Sequence, residues 1–448
     1  MNDLKVGFAR LDITPMLGIN LIGYFMKRPA DGLLDALEVS ALAIRTGNDT
    51  AILFSTDNLG IEIPEYEALR DIVSEAAGVN KDAIFISATH THLGPSISVS
   101  SEDALDREYF KFVSKRFADA AVYAVEDLKD ARMGYGTAKA PNIAFVRRFR
   151  MKDGSVATNP GVGNPNIVAP IGIIDDDVNV LRFDREGADT VVLASFACHP
   201  DTIGGRKISA DWPGKFRRSF EKAIDNTKCI VFNGAEGDIN HVNVNARGGD
   251  FNDMFVDFDD VSRGYGHARH MGRVLAGSVM QVYDKVTYVD VDSMSYKVRR
   301  IMLPSNMPSA EELPLARKYS ELHNSGRDSE IPFTGMGLTT AVAEAERMLR
   351  LEHGPEAFPM NVSALSVGSI AFAGIAGEGF NAIGRALKKC EGWDMVIPLG
   401  LTNGYEGYFP TEEAYAEGGY EAKSSPFRQG VAELIIAEDS KLLEEIKK

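Results

Sequence analysis

The stretch Ala83-Ile84-Phe85-Ile86-Ser87-Ala88, followed by Thr89-His90-Thr91-His92-Leu93-Gly94-Pro95, decides how the rest of the chain is read. A short apolar, β-branched and aromatic run bounded by turn residues predicts a buried strand. It ends in two imidazoles and a Gly-Pro turn. Side chains at i and i+2 of an extended segment share a face, so His90 and His92 are expected to point the same way. Such a pair suits one metal ion, or one ligand beside an acid–base partner; two hydrogen-bonded structural histidines are the competing reading.

The pattern recurs. The run Val191 to Cys198 delivers His199-Pro200, and Cys229 to Phe232 leads into Glu236-Gly237-Asp238-Ile239-Asn240-His241. Ile370 to Ala373 leads into Gly377-Glu378-Gly379. Ligands of open α/β sheets gather at the carboxyl ends of strands, so these termini can share one crevice. Further strands are expected over 50–55, 369–374 and 395–399, and helices over 65–77, 104–128, 212–224, 267–283, 310–322, 339–351 and 428–446. The alternation predicts an α/β fold: a mixed β-sheet core with flanking helices and a metal site at the strand ends, forming one large domain over 1–448. Two irregular stretches, 159–174 and 247–260, read either as site walls or as solvated excursions.

Composition bounds the function. The 448 residues carry 48 Lys and Arg against 64 Asp and Glu, a formal charge of −16, which argues against nucleic acid and anionic lipid surfaces. Cys198, Cys229 and Cys390 are too few and too scattered for a disulfide framework. No basic leader and no long apolar span are visible, so a cytoplasmic location without stable membrane association is expected. His267 and His270, one helical turn apart, lack a nearby carboxylate and read as a helix face; His323 and His353 read as ordinary polar positions. Arg147-Arg148 reads as surface or as a clamp for a substrate oxygen, and Tyr405 and Tyr408 read as packing, metal ligation or oxyanion contacts.

Taken together, these segments resemble the N-terminal catalytic domain of the neutral/alkaline non-lysosomal ceramidases, zinc-dependent amidohydrolases. The resemblance begins at Ala9-Arg10-Leu11-Asp12-Ile13-Thr14-Pro15 with Gly23-Tyr24 and continues through Thr89 to Pro95, Phe196 to Pro200 and Ser209-Ala210-Asp211. It then covers Gly237-Asp238, Gly377-Glu378, and Asn403 through Tyr408 to Tyr420-Glu421-Ala422, in the family's order across nearly the whole chain. It implies Zn2+ held by His90, His199, Glu378 and Tyr408, with His92 beside the metal and Arg147 and Tyr420 facing the substrate amide. A metal-activated water would attack an amide or ester carbonyl, with His92 or Asp238 moving the proton, and Asp57, Asp211 and Glu236 as further supporting candidates.

The chain departs from that pattern at Asn240, where the family has serine, and at Val146, where it has asparagine before the arginine. No C-terminal immunoglobulin-like domain is expected within 1–448. The expected substrate is therefore a small N-acyl or ester compound other than membrane ceramide. The alternatives are a catalytically silent ligand-binding relative, or a two-metal phosphoesterase built on Asp57, Asp211 and Asp238.

Overall fold

A computed structural model describes residues 3–246 and 264–447. The expected 247–260 stretch lies outside the described residues. The quoted strand forms as Ile84–Ala88 (β4), buried along its whole length. It is the edge of a nine-stranded mixed sheet. The other strands of that sheet are Leu4–Asp12 (β1), Glu38–Thr46 (β2), Asp49–Thr56 (β3), Lys129–Lys139 (β5), Asp177–Arg185 (β6), Thr190–Phe196 (β7), Thr227–Asn233 (β8) and Thr287–Val289 (β9).

Their spatial order is β8-β7-β6-β5-β1-β2-β3-β4, with β9 also paired to β5. The two edge pairs, β3 with β4 and β7 with β8, are parallel; the pairs between them are antiparallel. The first and last strands approach each other. Ser55 Oγ on β3 donates to Val231 O on β8 at 2.5 Å, and Asn233 Nδ2 donates to Thr89 O at 3.2 Å. This near-closure brings the carboxyl ends of β4, β7 and β8 together, which an open sheet of eight strands in line would keep apart.

A second sheet of four strands comprises Met294–Pro304 (β10), Ala357–Val367 (β11), Ile370–Ile375 (β12) and Met395–Leu399 (β13). It is fastened to β4 at its carboxyl end. Asn403 Oδ1 accepts from Ile86 N and Asn403 N donates to Ile86 O, both at 2.9 Å, while the Ser87 and Thr402 hydroxyls lie 2.6 Å apart. Glu378 is thereby carried to the same end as the histidines.

Helices Ile63–Ala77 (α1) and Ala104–Glu126 (α2) cover one side of the first sheet, and Asp211–Ala223 (α3) with Tyr265–Tyr283 (α4) packs beside β8 and β5. Helix α1 starts at a proline in its first turn and stops at Gly78 in the left-handed region, the usual pair of boundary signals. Leu313–Asn324 (α5) and Met336–Leu351 (α6) form a hairpin with small apolar clusters of its own. Asn381–Leu387 (α7) and Val431–Glu445 (α8) pack on the second sheet.

The stretch 159–174 is not wholly irregular. Ile167–Pro170 pairs with Arg148–Met151, because the turn at Asp153-Gly154 folds Val156–Thr158 back on the same strand and leaves its other edge free for a third partner. Among the described residues no helix is long and apolar enough to cross a membrane.

Candidate metal centre

His90 reaches the centre by a route the sequence does not show. Strand β4 ends at Ala88, and His90 has φ +75°, a left-handed conformation that costs a non-glycine residue about 1–3 kcal/mol. The turn is held by backbone bonds from Thr89 N to Thr56 O (2.8 Å) and from His90 N to Asn58 O (2.9 Å). So His90 and His92 face one point because the chain turns, not because a strand alternates. Their rings meet edge to face with centroids 5.0 Å apart, and the His90 and His199 rings do so at 4.8 Å.

Both ligand candidates are fixed in the same tautomer. His90 Nδ1 lies 2.6 Å from Leu59 O, and His199 Nδ1 lies 2.9 Å from Glu236 O. A carbonyl can only accept, so each Nδ1 carries a hydrogen and each Nε2 is turned toward Glu378. Glu378 Oε2 sits 3.0 Å from His199 Nε2 and 3.4 Å from His90 Nε2. Its other oxygen, Oε1, accepts from the Tyr405 hydroxyl at 2.9 Å. Glu236 completes the group: it is 0% exposed, and neither carboxylate oxygen has a hydrogen-bond partner.

One donor atom from each of His90, His199, Glu236 and Glu378 lies within 4.8 Å of all the others; His90, His92 and His199 form an overlapping set. Four groups able to donate electron pairs converge in one buried site, an arrangement that a cation would compensate. This buried His/Glu group could hold a metal ion, and its nitrogen and oxygen donors are of the type that zinc takes. Among the described residues no other such group of three or more forms.

The electrostatics agree. Burial opposes charge on His90, but the Glu378 carboxylate outweighs it and raises the imidazole's pKa. Burial, with the positive charge of Arg147, lowers that of His199. Burial alone would raise Glu378, yet His90 and His199 hold it well below the usual carboxylate range. Burial pushes Glu236 up to about 8, and pushes His92 down to about 3 against the pull of Asp201.

Tyr408 stands at the edge of the group, its hydroxyl 3.5 Å from His199 Nε2 and its ring stacked on that imidazole. Tyr420 packs edge to face on Tyr408, centroids 5.6 Å apart. Arg147 is buried, not a surface residue. Its Nε donates to Glu421 Oε1 at 2.7 Å and its Nη2 to Gly237 O at 2.6 Å, with the guanidinium over the Tyr408 ring. Asp238 lies one layer away, where Oδ1 accepts from Asn381 N at 2.7 Å and burial raises the carboxyl to about 6. Asn240 bridges two loops, donating to Asn159 Oδ1 at 2.7 Å and accepting from Val242 N at 3.0 Å.

The two-metal reading loses its ligands. Asp57 is bound by the Arg217 guanidinium, and Asp211 Oδ2 accepts from Thr202 N and Ile203 N at 3.0 Å. Neither these nor Asp238 joins a donor group among the described residues. His241 also stands away from the centre, its ring 5.2 Å from that of His267 on α4. The bond from Tyr405 to Glu378 and the direct membership of Glu236, a supporting candidate in the sequence, are set by the tertiary structure. The only signal was their position: Glu236 follows a strand end, and Tyr405 shares a glycine-rich turn with Tyr408.

Two cavities open on the centre and share Tyr24, His92, Tyr408 and Tyr420 in their walls. One, of about 410 Å³, is lined by His90 and Glu378 and by charged residues including Glu62, Arg347, Arg350 and Glu406. The other, of about 330 Å³, is lined by His199 and Arg147 and by Met26, Met336, Leu338 and Val342.

No protein-family model matches the chain, and no curated protein matches it in sequence. Solved structures do match in fold. The chain is similar to the neutral ceramidase from Pseudomonas aeruginosa, with a TM-score of 0.72 and 16% identity, covering 99% of this chain and 74% of that one. It is also similar to a ceramidase complexed with C2, with a TM-score of 0.71 and 17% identity, covering 99% of this chain and 76% of that one. On that overlap, the chain has the neutral ceramidase-like fold.

Proposed function

We propose that this chain is a zinc-dependent hydrolase that cleaves an amide or ester bond in a small molecule other than membrane ceramide. Supporting this are the fold, the His/Glu group and the two cavities that flank it. The observation that carries the reading is the convergence of His90 Nε2, His199 Nε2 and the carboxyl groups of Glu236 and Glu378 in one buried group.

His90, His199 and Glu378 would hold Zn2+, with the Tyr408 hydroxyl as the fourth donor. When bound, the ion supplies Lewis acidity that lowers the pKa of a water and polarises a carbonyl. The chain's own residues do the rest. Glu236, whose carboxylate has no other partner, takes the proton from the attacking water and returns it to the leaving nitrogen or oxygen as the carbonyl carbon's bond to that atom breaks. Tyr420 donates to the carbonyl oxygen as negative charge develops there, and Arg147 supplies a fixed positive charge behind Tyr408. His92 walls the site between the cavities, and Asp238 anchors the loop that carries Glu236 through Asn381 N.

Elemental analysis of the purified protein and of His90→Ala tests the core of this: about one zinc per chain is expected, lost in the variant. A panel of N-acyl, ester and phosphoester substrates then tests turnover. N-acyl or ester hydrolysis abolished in Glu378→Gln supports the assignment; silence across the panel with zinc bound refutes it in favour of a ligand-binding protein.

A further inference from the structure

The charged cavity holds a feature the proposed chemistry does not use. Arg347 on α6 lines it and is only 6% exposed. Its Nη1 donates to Asn306 O at 2.6 Å, while its Nε is buried without an acceptor. The two acids that feel its charge most are held elsewhere, Glu344 by Lys423 at 3.1 Å and Glu312 by Ser309 N at 2.7 Å. Among the described residues no carboxylate lies within 4.0 Å of this guanidinium. A buried cation with no direct ion pair, balanced only at longer range by Glu344 and Glu312, is a position that a ligand's carboxylate can complete.

Arg350, one helical turn on, lines the same cavity and is exposed. Glu62, Glu346 and Glu406 share the lining. Burial raises the pKa of each of these acids, that of Glu406 to about 7, so they oppose an anion beside Arg347 less than exposed carboxylates would. The planar guanidinium fork matches a carboxylate in two parallel hydrogen bonds.

We propose that Arg347 is a specificity-determining residue that receives a carboxylate of the substrate, so that the compounds bound are N-acyl amino acids or similar anionic amides and esters. This rests on the hydrolase reading, because it places the substrate's charged half in the cavity adjoining His90 and Glu378. Binding and turnover can be separated. N-hexanoylglycine and N-hexanoylglycinamide differ only in that charge, and titration calorimetry on chelator-treated protein reads their binding with no metal to attract the acid. The acid is expected to bind about ten- to a hundredfold more tightly than the amide, the range of a charge-assisted hydrogen-bond pair. Arg347→Gln, which keeps a donor for Asn306 O, should abolish the preference, and Arg347→Lys should restore part of it.

Equal binding of acid and amide by the wild type overturns the proposal, whatever the variants do. A preference that survives in Arg347→Gln, with its thermal melt intact, overturns it too. A preference that vanishes in Arg347→Gln and returns in Arg347→Lys supports it, even if zinc-loaded protein hydrolyses neither probe. That last result would count against the hydrolase reading alone.

Discussion

Replacing Gly237 by alanine tests whether the donor group depends on direct backbone contact between the loops that carry Glu236 and Glu378. An ideal Cβ at 237 falls 2.4 Å from Glu378 O and 3.0 Å from both Glu378 C and Gly379 C. The first contact is about 1 Å inside the 3.4 Å at which ordinary van der Waals contact begins. The obstacle is backbone and cannot rotate aside. The loops are also tied at this point, by Gly237 N to Gly379 O at 2.8 Å and Arg147 Nη2 to Gly237 O at 2.6 Å. Relief therefore has to come from moving Glu378 or the 236–238 segment, and both carry donors.

Overpacking of this kind costs about 1–3 kcal/mol of stability. Disturbing the support of a metal ligand costs about 10- to 100-fold in affinity. Competition for Zn2+ with a chromophoric chelator reads the affinity, and urea denaturation reads the stability. Gly277→Ala is the control: it lies inside α4 with nothing within 4 Å of the added carbon. There alanine is favoured by about 1 kcal/mol and metal affinity should not change. A Gly237→Ala protein with wild-type zinc affinity would refute the reasoning, because the two loops would then be free to part.

Asp439 on α8 is 0% exposed, and both its oxygens are buried without partners. Burial raises its pKa well above 3.8, so the stability linked to this proton is present below the unfolded value and is lost as pH rises through the folded one. Asp439→Leu should gain about 1–3 kcal/mol at pH 7 and show a flatter stability profile between pH 4 and pH 8; urea midpoints across that range that run parallel to wild type would contradict this. Arg217, 1% exposed, binds Asp57 through both Nη1 (3.0 Å) and Nη2. Arg217→Met leaves that carboxylate buried and uncompensated and should cost about 3–5 kcal/mol. Asp57 also accepts from Thr89 Oγ1 at 3.2 Å, next to His90, so zinc affinity should fall as well; a loss below about 1 kcal/mol would show that the pair is replaceable by water.

Local chemistry was legible where it repeats. The strands Thr190–Phe196 and Met395–Leu399 have the limits that the apolar runs give them, since a continuous buried run ends where polar residues begin. His90, His199 and Glu378 stand out in the sequence because each follows such a run, and the ordered motifs point to the fold that the solved structures share. Glu236 was harder to rank. Nothing in Ala235-Glu236-Gly237-Asp238 distinguishes the carboxylate that faces the centre from the one that anchors Asn381 N. That choice depends on the direction of a loop fixed by contacts with residues more than a hundred positions away.

What the sequence determined by itself is the order of strands and helices and the identity of the groups able to ligate, because hydrophobic periodicity and side-chain chemistry are local properties. What only the tertiary structure decided is which of those groups meet. The left-handed turn at His90, the approach of β3 to β8, and the clasp of Asn403 on Ile86 bring four strand ends to one point. The hydrogen on each imidazole Nδ1, the burial of Glu236 and the burial of Arg347 without a direct ion pair are likewise tertiary, since each depends on what surrounds an atom rather than on what precedes it in the chain.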